Sequence, residues 1–195
     1  MKKFIHKTLL TLSLTGALMA SAQVMAADYV IDTKGMHASI QFKISHLGFS
    51  WMWGRFNDFK GTFSYDDKNT AASKVAITVM TKSVDTNHAE RDKHLRSDDF
   101  LDVKKFPEAS FVSTAYTESS DGKATLTGNL TLHGVTKEVK VAVEKVGGGK
   151  DPWGGYRQGF TGTTRIALKD FAIKKNLGPA SAELDLIINF EGVRQ

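Results

Sequence analysis

Apolar and polar positions alternate with a period of two through almost the whole chain, the signature of strands with one buried face. Over residues 38–45, Ile40, Phe42 and Ile44 share one face, and Ser39, Gln41 and Lys43 the other. Phe59, Gly61, Phe63 and Tyr65 alternate in the same way with Lys60, Thr62 and Ser64. The pattern predicts further strands over residues 75–81, 109–117, 124–132, 139–146, 160–169 and 184–193. Turn-forming residues part them at 66–69, Asp121-Gly122, His133-Gly134 and the glycine-rich stretch 147–155. About eight long antiparallel strands predict one all-β domain. Closure into a barrel is favoured because it removes the edges that long strands would otherwise expose.

An eight-stranded barrel is just wide enough for packed side chains or one small ligand. Gly61, Gly128 and Gly162 all fall in the apolar phase. Pointing inward, they leave room inside, or they relieve strain where the strands bend; both readings stand.

The break in the pattern is residues 83–111, dense in charge, with His88, Arg91, Asp92 and His94 on a short helical run. The spacing puts His88, Arg91 and Asp92 on one helix face with Leu95. A two-histidine metal site needs i, i+4 spacing, which His88 and His94 lack, and Arg91 would repel a cation. No metal site is expected. The structural expectation is that Thr86 caps the helix, Arg91 pairs with a carboxylate, and Leu95 and Phe100 pack down so that the helix closes one end of the scaffold. The catalytic alternative makes His88, Arg91 and Asp92 the polar centre of an enzyme acting on a small amphiphile.

Composition narrows the classes. There is no cysteine among the 195 residues, so thiol nucleophiles, zinc–thiolate sites and redox dithiols are excluded. No nucleophile elbow or phosphate-binding glycine loop occurs, and no cofactor is expected. Lys2, Lys3 and Lys7, the apolar run 9–20 and Val24-Met25-Ala26 read as a secretory signal peptide, residues 1–26, cleaved after Ala26. The run is short for a membrane span. The mature domain, residues 27–195, is therefore expected in the periplasm, without stable membrane insertion. The formal net charge of +5 belongs partly to the leader, so a nucleic-acid partner is not indicated. Phe49, Trp51, Trp53, Phe56 and Phe59 crowd with Leu47 and Met52; they are core, or an adaptable apolar surface at a barrel mouth.

SVDTNHAERDKHLRSDDF, KKFPEASF, LTLHGVTKEV, DPWGG and KDFAIKKNLGPASAELDLIINFEGV occur in that order, and together they closely resemble the YceI-like family. The resemblance implies a lipocalin-like, eight-stranded antiparallel β-barrel with a short helix over it. It also implies a long apolar cavity for an isoprenoid lipid, an isoprenoid quinone or a fatty amphiphile. A periplasmic protein, often a homodimer, without assigned catalysis, is implied too. On that basis Phe42, Ile44, Phe63, Phe111, Phe160, Ile166, Leu186 and Ile188 are expected to line the barrel with Gly128 and Gly162, and Trp51 and Trp53 to sit at its mouth. His88, Arg91 and Asp92 are expected to anchor the helix or touch a head group. An interaction module with a packed core remains the further alternative.

Overall fold

The computed structural model describes residues 26–119, 123–175 and 177–195. The expected leader up to residue 25 and the expected turn at Asp121-Gly122 lie outside them. Among the described residues are eleven strands: β1 (Ala27–Ile31), β2 (Ser39–His46), β3 (Ser50–Phe56), β4 (Phe59–Tyr65), β5 (Lys74–Met80), β6 (Val84–Asp85), β7 (Glu108–Glu118), β8 (Lys123–Leu132), β9 (Val135–Lys150), β10 (Tyr156–Ala167) and β11 (Glu183–Arg194). One α-helix, α1 (Ala89–Leu95), lies between β6 and β7.

These segments close into an eight-stranded antiparallel barrel because several are halves of one broken strand. β1 pairs with the end of β11, Tyr29 opposite Arg194, and β2 with its beginning, Ile44 opposite Leu184. β1 and β2 thus form one long strand interrupted at residues 32–38. β3 and β4 are likewise one strand broken at Asn57-Asp58, and β5 and β6 one broken at the 3-10 turn Thr81–Ser83. β7 to β11 complete the ring, and the β1–β11 ladder shuts it. Every expected strand is present within a few residues at its ends. β1, β3 and the two-residue β6 are additional.

The glycine-rich stretch departs from the expected loop: β9 runs on through Gly147, Gly148 and Gly149, paired with β10. The reason is Gln158, a buried residue whose amide donates to the Gly147 carbonyl at 2.8 Å and lies over Gly148, where a Cβ would collide with it. Only the tip at 151–155 turns.

The barrel has two unlike halves. The upper half, towards β1 and the β9–β10 hairpin, is walled by continuous ladders. Its core is aromatic: Tyr29 stacks on Phe63 at 4.8 Å, Phe160 meets Tyr65 edge-on at 5.0 Å, and Tyr65 meets Tyr116 at 6.4 Å, pairs worth about 0.5–1.5 kcal/mol each beyond their burial. In the lower half β7 starts only at Glu108, opposite Met80, and β3 has a strand neighbour beyond β2 only at Arg55 and Phe56. The opening in the wall is filled by residues 86–107, with Leu95 and Phe100 turned inward against Ile44, Leu168 and Ile173, and Leu101 against Phe42 and Val84.

Candidate functional site

Each half encloses an apolar chamber. The upper one, about 130 Å³, is bounded by Phe63, Ile77, Phe111, Phe160, Gly162 and Phe190, among others. The lower one, about 150 Å³, lies under α1 between Phe42, Ile44, Met52, Leu95, Phe100 and Ile166. Ile40, Val79, Ala109, Leu130 and Leu186 border both, so the two are neighbouring parts of one interior. Among the described residues no ionisable side chain lines the lower chamber, and in the upper one the only such groups are the phenols of Tyr65 and Tyr116. Burial pushes both phenols up to about 12, so they stay neutral. An apolar space of this kind stays dry and takes apolar guests; about 150 Å³ suffices for a benzene-sized one.

Phe42, Ile44, Phe63, Phe111, Phe160, Gly162, Ile166, Leu186 and Ile188 all lie on these walls. Three expectations are corrected. Gly128 does not open the interior: a Cβ there would collide with the Phe111 ring and stand 2.6 Å from the Val112 carbonyl, so the ring across the ladder already covers it. Gly61, for which the sequence leaves room inside and strain relief both open, is also closed over, by Ile31 and Ile77. Trp51 and Trp53 do not face the interior. In β3 the inward phase belongs to Met52 and Gly54, so both indoles stand outside, about half exposed, with the Lys43 ammonium 4.4 Å from the Trp51 ring centre.

The helix over the lower chamber is fastened by a polar network that replaces the expected one. His88, not Thr86, is the cap, its Nδ1 accepting the Arg91 N–H at 3.2 Å. Thr86 instead serves the buried Asp92, whose carboxylate accepts the Thr86 N–H at 2.8 Å and its hydroxyl at 2.5 Å. Arg91 donates to Thr86 Oγ1 and to its carbonyl, both at 2.7 Å, rather than to a carboxylate. A non-helical residue directly before α1 leaves its side chain free to turn back on the first amides, and His88 holds that position. Beyond the far end of α1, Arg96 grips the carbonyls of Lys82 and Val84, both at 2.7 Å. None of His88, Arg91 and Asp92 borders a chamber. Asp92 Oδ1 and the Nε and Nη2 groups of Arg91 are engaged with Thr86.

On the outside of the upper half, Arg157 gathers three carboxylates. It reaches Asp32 at 2.7 Å, Glu191 at 2.5 Å and Asp151 at 2.9 Å. That hydrogen bonding, with the Gly35 amide, holds Asp32 down to about 2. Asp32, His37 and Glu191 bring three ligand-type atoms within 4.8 Å of one another, but the cation already between the carboxylates is the guanidinium. Sequence patterning gave no sign of this cluster, because its members come from three distant segments.

The geometry defines a class: a closed β-barrel with an apolar interior and a helix fastened over one end. A YceI-like domain is recognised across residues 29–192, and the chain belongs to that family. It is 57% identical over 191 residues to a UPF0312 protein of Pseudomonas aeruginosa, covering 98% of this chain and all of that one. A Campylobacter jejuni YCEI protein has the same fold, with 31% identity and a TM-score of 0.69 over 78% of this chain and 91% of its own. A polyisoprenoid binding domain from Saccharophagus degradans superposes with a TM-score of 0.63, covering 87% of this chain and 99% of that one. At 13% identity that likeness speaks for the fold alone.

Proposed function

We propose that this protein is a periplasmic lipid-binding protein that holds an isoprenoid lipid, an isoprenoid quinone or a similar long-chain amphiphile in its barrel, for transport, storage or the response to envelope stress. The observation that carries this reading is the pair of adjoining chambers with apolar walls. Each buried methylene contributes about 0.8 kcal/mol, so ten give about 8 kcal/mol, and with ordering costs of several kcal/mol micromolar binding takes about fifteen. The polyisoprenoid-binding character of the Saccharophagus neighbour supports the same reading. By the benzene standard the two chambers accept on the order of a dozen carbons. A longer chain therefore has to move lining side chains such as Met52 and Leu95, or pass out beside α1. The protein acts by binding, without catalysis, and works as a homodimer in this reading. The residues lining both chambers are the contacts, and His88, Arg91 and Asp92 hold the helix.

The test is native mass spectrometry of protein purified from the periplasm, followed by organic extraction. A stoichiometric isoprenoid or fatty amphiphile is expected. Gly162→Leu, which brings a side chain into the upper chamber against Val141, is expected to lower loading while leaving a folded barrel. An empty wild-type protein that also takes up no added polyprenol or quinone would remove the carrier reading.

A further inference from the structure

The β2–β3 hairpin carries an exposed apolar surface. Leu47 and Gly48 turn it at positive φ, 54° and 83°. Beyond them Phe49 is 86% exposed, the most exposed large hydrophobic side chain among the described residues. Leu47, Trp51 and Trp53 are all more than half exposed beside it. Together the four offer roughly 500 Å² of apolar surface, at the upper end of what a monomer usually leaves in one patch.

The order of side chains along the hairpin says what covers them. At the tip are the purely apolar Leu47 and Phe49. One and two strand positions back come the indoles of Trp51 and Trp53. Level with Trp53, the register places Lys43, then Asp185, then Arg165 across neighbouring strands. Lys43 and Arg165 share the single carboxylate of Asp185, which leaves an excess positive charge at that level. With a rise of about 3.3 Å per residue, Phe49 stands about 13 Å below Trp53. Aliphatic and phenyl groups deepest, with indoles and cations together at the next level, is the polarity profile of the interfacial edge of one leaflet of a bilayer. A protruding tip also suits a fluid surface, whereas a second copy of the chain would have to supply a matching hollow.

We propose that the hairpin tip docks reversibly onto a lipid bilayer. It lies at the lower end, where Ser181 Oγ donates to the Ser45 carbonyl at 2.6 Å and where the wall is filled by the α1 segment. Met52 of the same hairpin borders the lower chamber, so docking brings that chamber to the membrane.

The experiment is co-flotation of the mature chain with large unilamellar vesicles of phosphatidylcholine and phosphatidylglycerol, without any extracted ligand. Wild-type protein is expected to partition with a blue shift of tryptophan emission. Leu47→Ser with Phe49→Ser lowers the partition coefficient by tenfold or more, about one to two decades for a large apolar side chain. Trp153→Ser, at the opposite end in the β9–β10 hairpin and 78% exposed, leaves it unchanged. An unchanged melting temperature in the double variant shows that its fold is kept. Absence of flotation, equal flotation of all variants, or a wild-type dimer that the double variant dissociates without vesicle binding would each overturn the proposal.

A different observation concerns the head of the ligand and rests on the carrier reading. Ser73, 7% exposed, borders the upper chamber, and its hydroxyl has no hydrogen-bond partner among the described residues. A buried hydroxyl without a partner is costly. No charged side chain borders the chamber to receive an ionised group, and an unpaired buried ion would cost far more. We infer that Ser73 receives a neutral oxygen of the ligand, an alcohol or a carbonyl, and not a phosphate or carboxylate. Farnesol, farnesyl phosphate and the hydrocarbon farnesene can be compared by displacement of a fluorescent lipid. Wild-type protein is expected to prefer farnesol over farnesene by about tenfold, one hydrogen bond's share, and Ser73→Ala to bring that ratio near one with farnesene unchanged. An unaltered ratio, or tightest binding of the phosphate, overturns the inference alone; no binding of any probe overturns the carrier reading with it.

Discussion

The upper and lower halves of the barrel bury similar side chains around similar volumes, yet they are closed by different means. Above, every wall is a backbone ladder, β1 against β11 included. Below, one stretch of wall consists of side chains from residues 95–101, held by a handful of polar bonds. A ladder opens only when many hydrogen bonds break together, while a side-chain wall can part locally. If the barrel takes up a guest as proposed, the lower half is where it would enter.

The sharpest way to break the comparison is to remove one large core ring from each half. Phe63→Ala above and Phe100→Ala below should each cost about 3–5 kcal/mol, since both rings are buried and neither site can collapse fully. Equal loss of stability is expected, with unequal consequences for exchange. Phe100→Ala should speed amide hydrogen exchange in α1 well beyond its global effect, whereas Phe63→Ala should leave α1 protected relative to the barrel. If both variants speed α1 alike, the halves are one cooperative unit.

Thr86→Val tests the fastening of the lower wall directly. It keeps the shape of the side chain but takes one of two donors from the buried Asp92 carboxylate and an acceptor from Arg91. A loss of about 3 kcal/mol is expected in urea unfolding, as for a buried charged group left short of a partner. A loss under about 1 kcal/mol would mean that water reaches Asp92 and that the lower wall is leaky as built.

The two halves were unequally legible in the sequence for the same physical reason. Period-two phase predicts Phe63, Phe111, Phe160 and Ile188 on the inner wall, because strand geometry alone sends alternate side chains inward. β1 escaped notice since ADYVI is short and mixed. β3 escaped because its large residues face out and Gly54 faces in, so alternation there runs against polarity. Gly128 was misread because a sequence shows a missing side chain but not the Phe111 ring that leans across the ladder to replace it. The bonds of Thr86, Arg96 and Arg157 join residues through loop geometry, which no periodicity records. The segment that fills the lower wall is fastened by the bonds of Thr86 and Arg96.

His88→Ala should have a smaller effect than Thr86→Val, since it loses one cap and leaves α1 otherwise fastened. About 1 kcal/mol is typical for a lost cap, or roughly 2–4 °C in melting temperature for a chain of this size. His88→Asn should restore most of it, because Asn is among the preferred caps. A larger loss in both variants would assign His88 a packing role instead of capping.

The smallest expected effect lies in the upper half and appears only in acid. Arg157 holds Asp32 down to about 2 from an ordinary 3.8. A carboxyl whose folded value is depressed adds stability that is complete above the unfolded value and lost as pH falls through the folded one. The contribution of Asp32 therefore fades between about pH 4 and pH 2 and is constant above that window. The loss is modest because Arg157 still has Glu191 and Asp151 on either side, although Asp151 is itself held low and protonates later than an ordinary carboxyl. Melting curves of wild type and Asp32→Asn should lie apart at pH 6 and converge towards pH 2. Curves that stay parallel through the whole window would mean that Asp32 titrates as an ordinary surface carboxyl, and that the upper half owes its closure to the β1–β11 ladder without help from the Arg157 cluster.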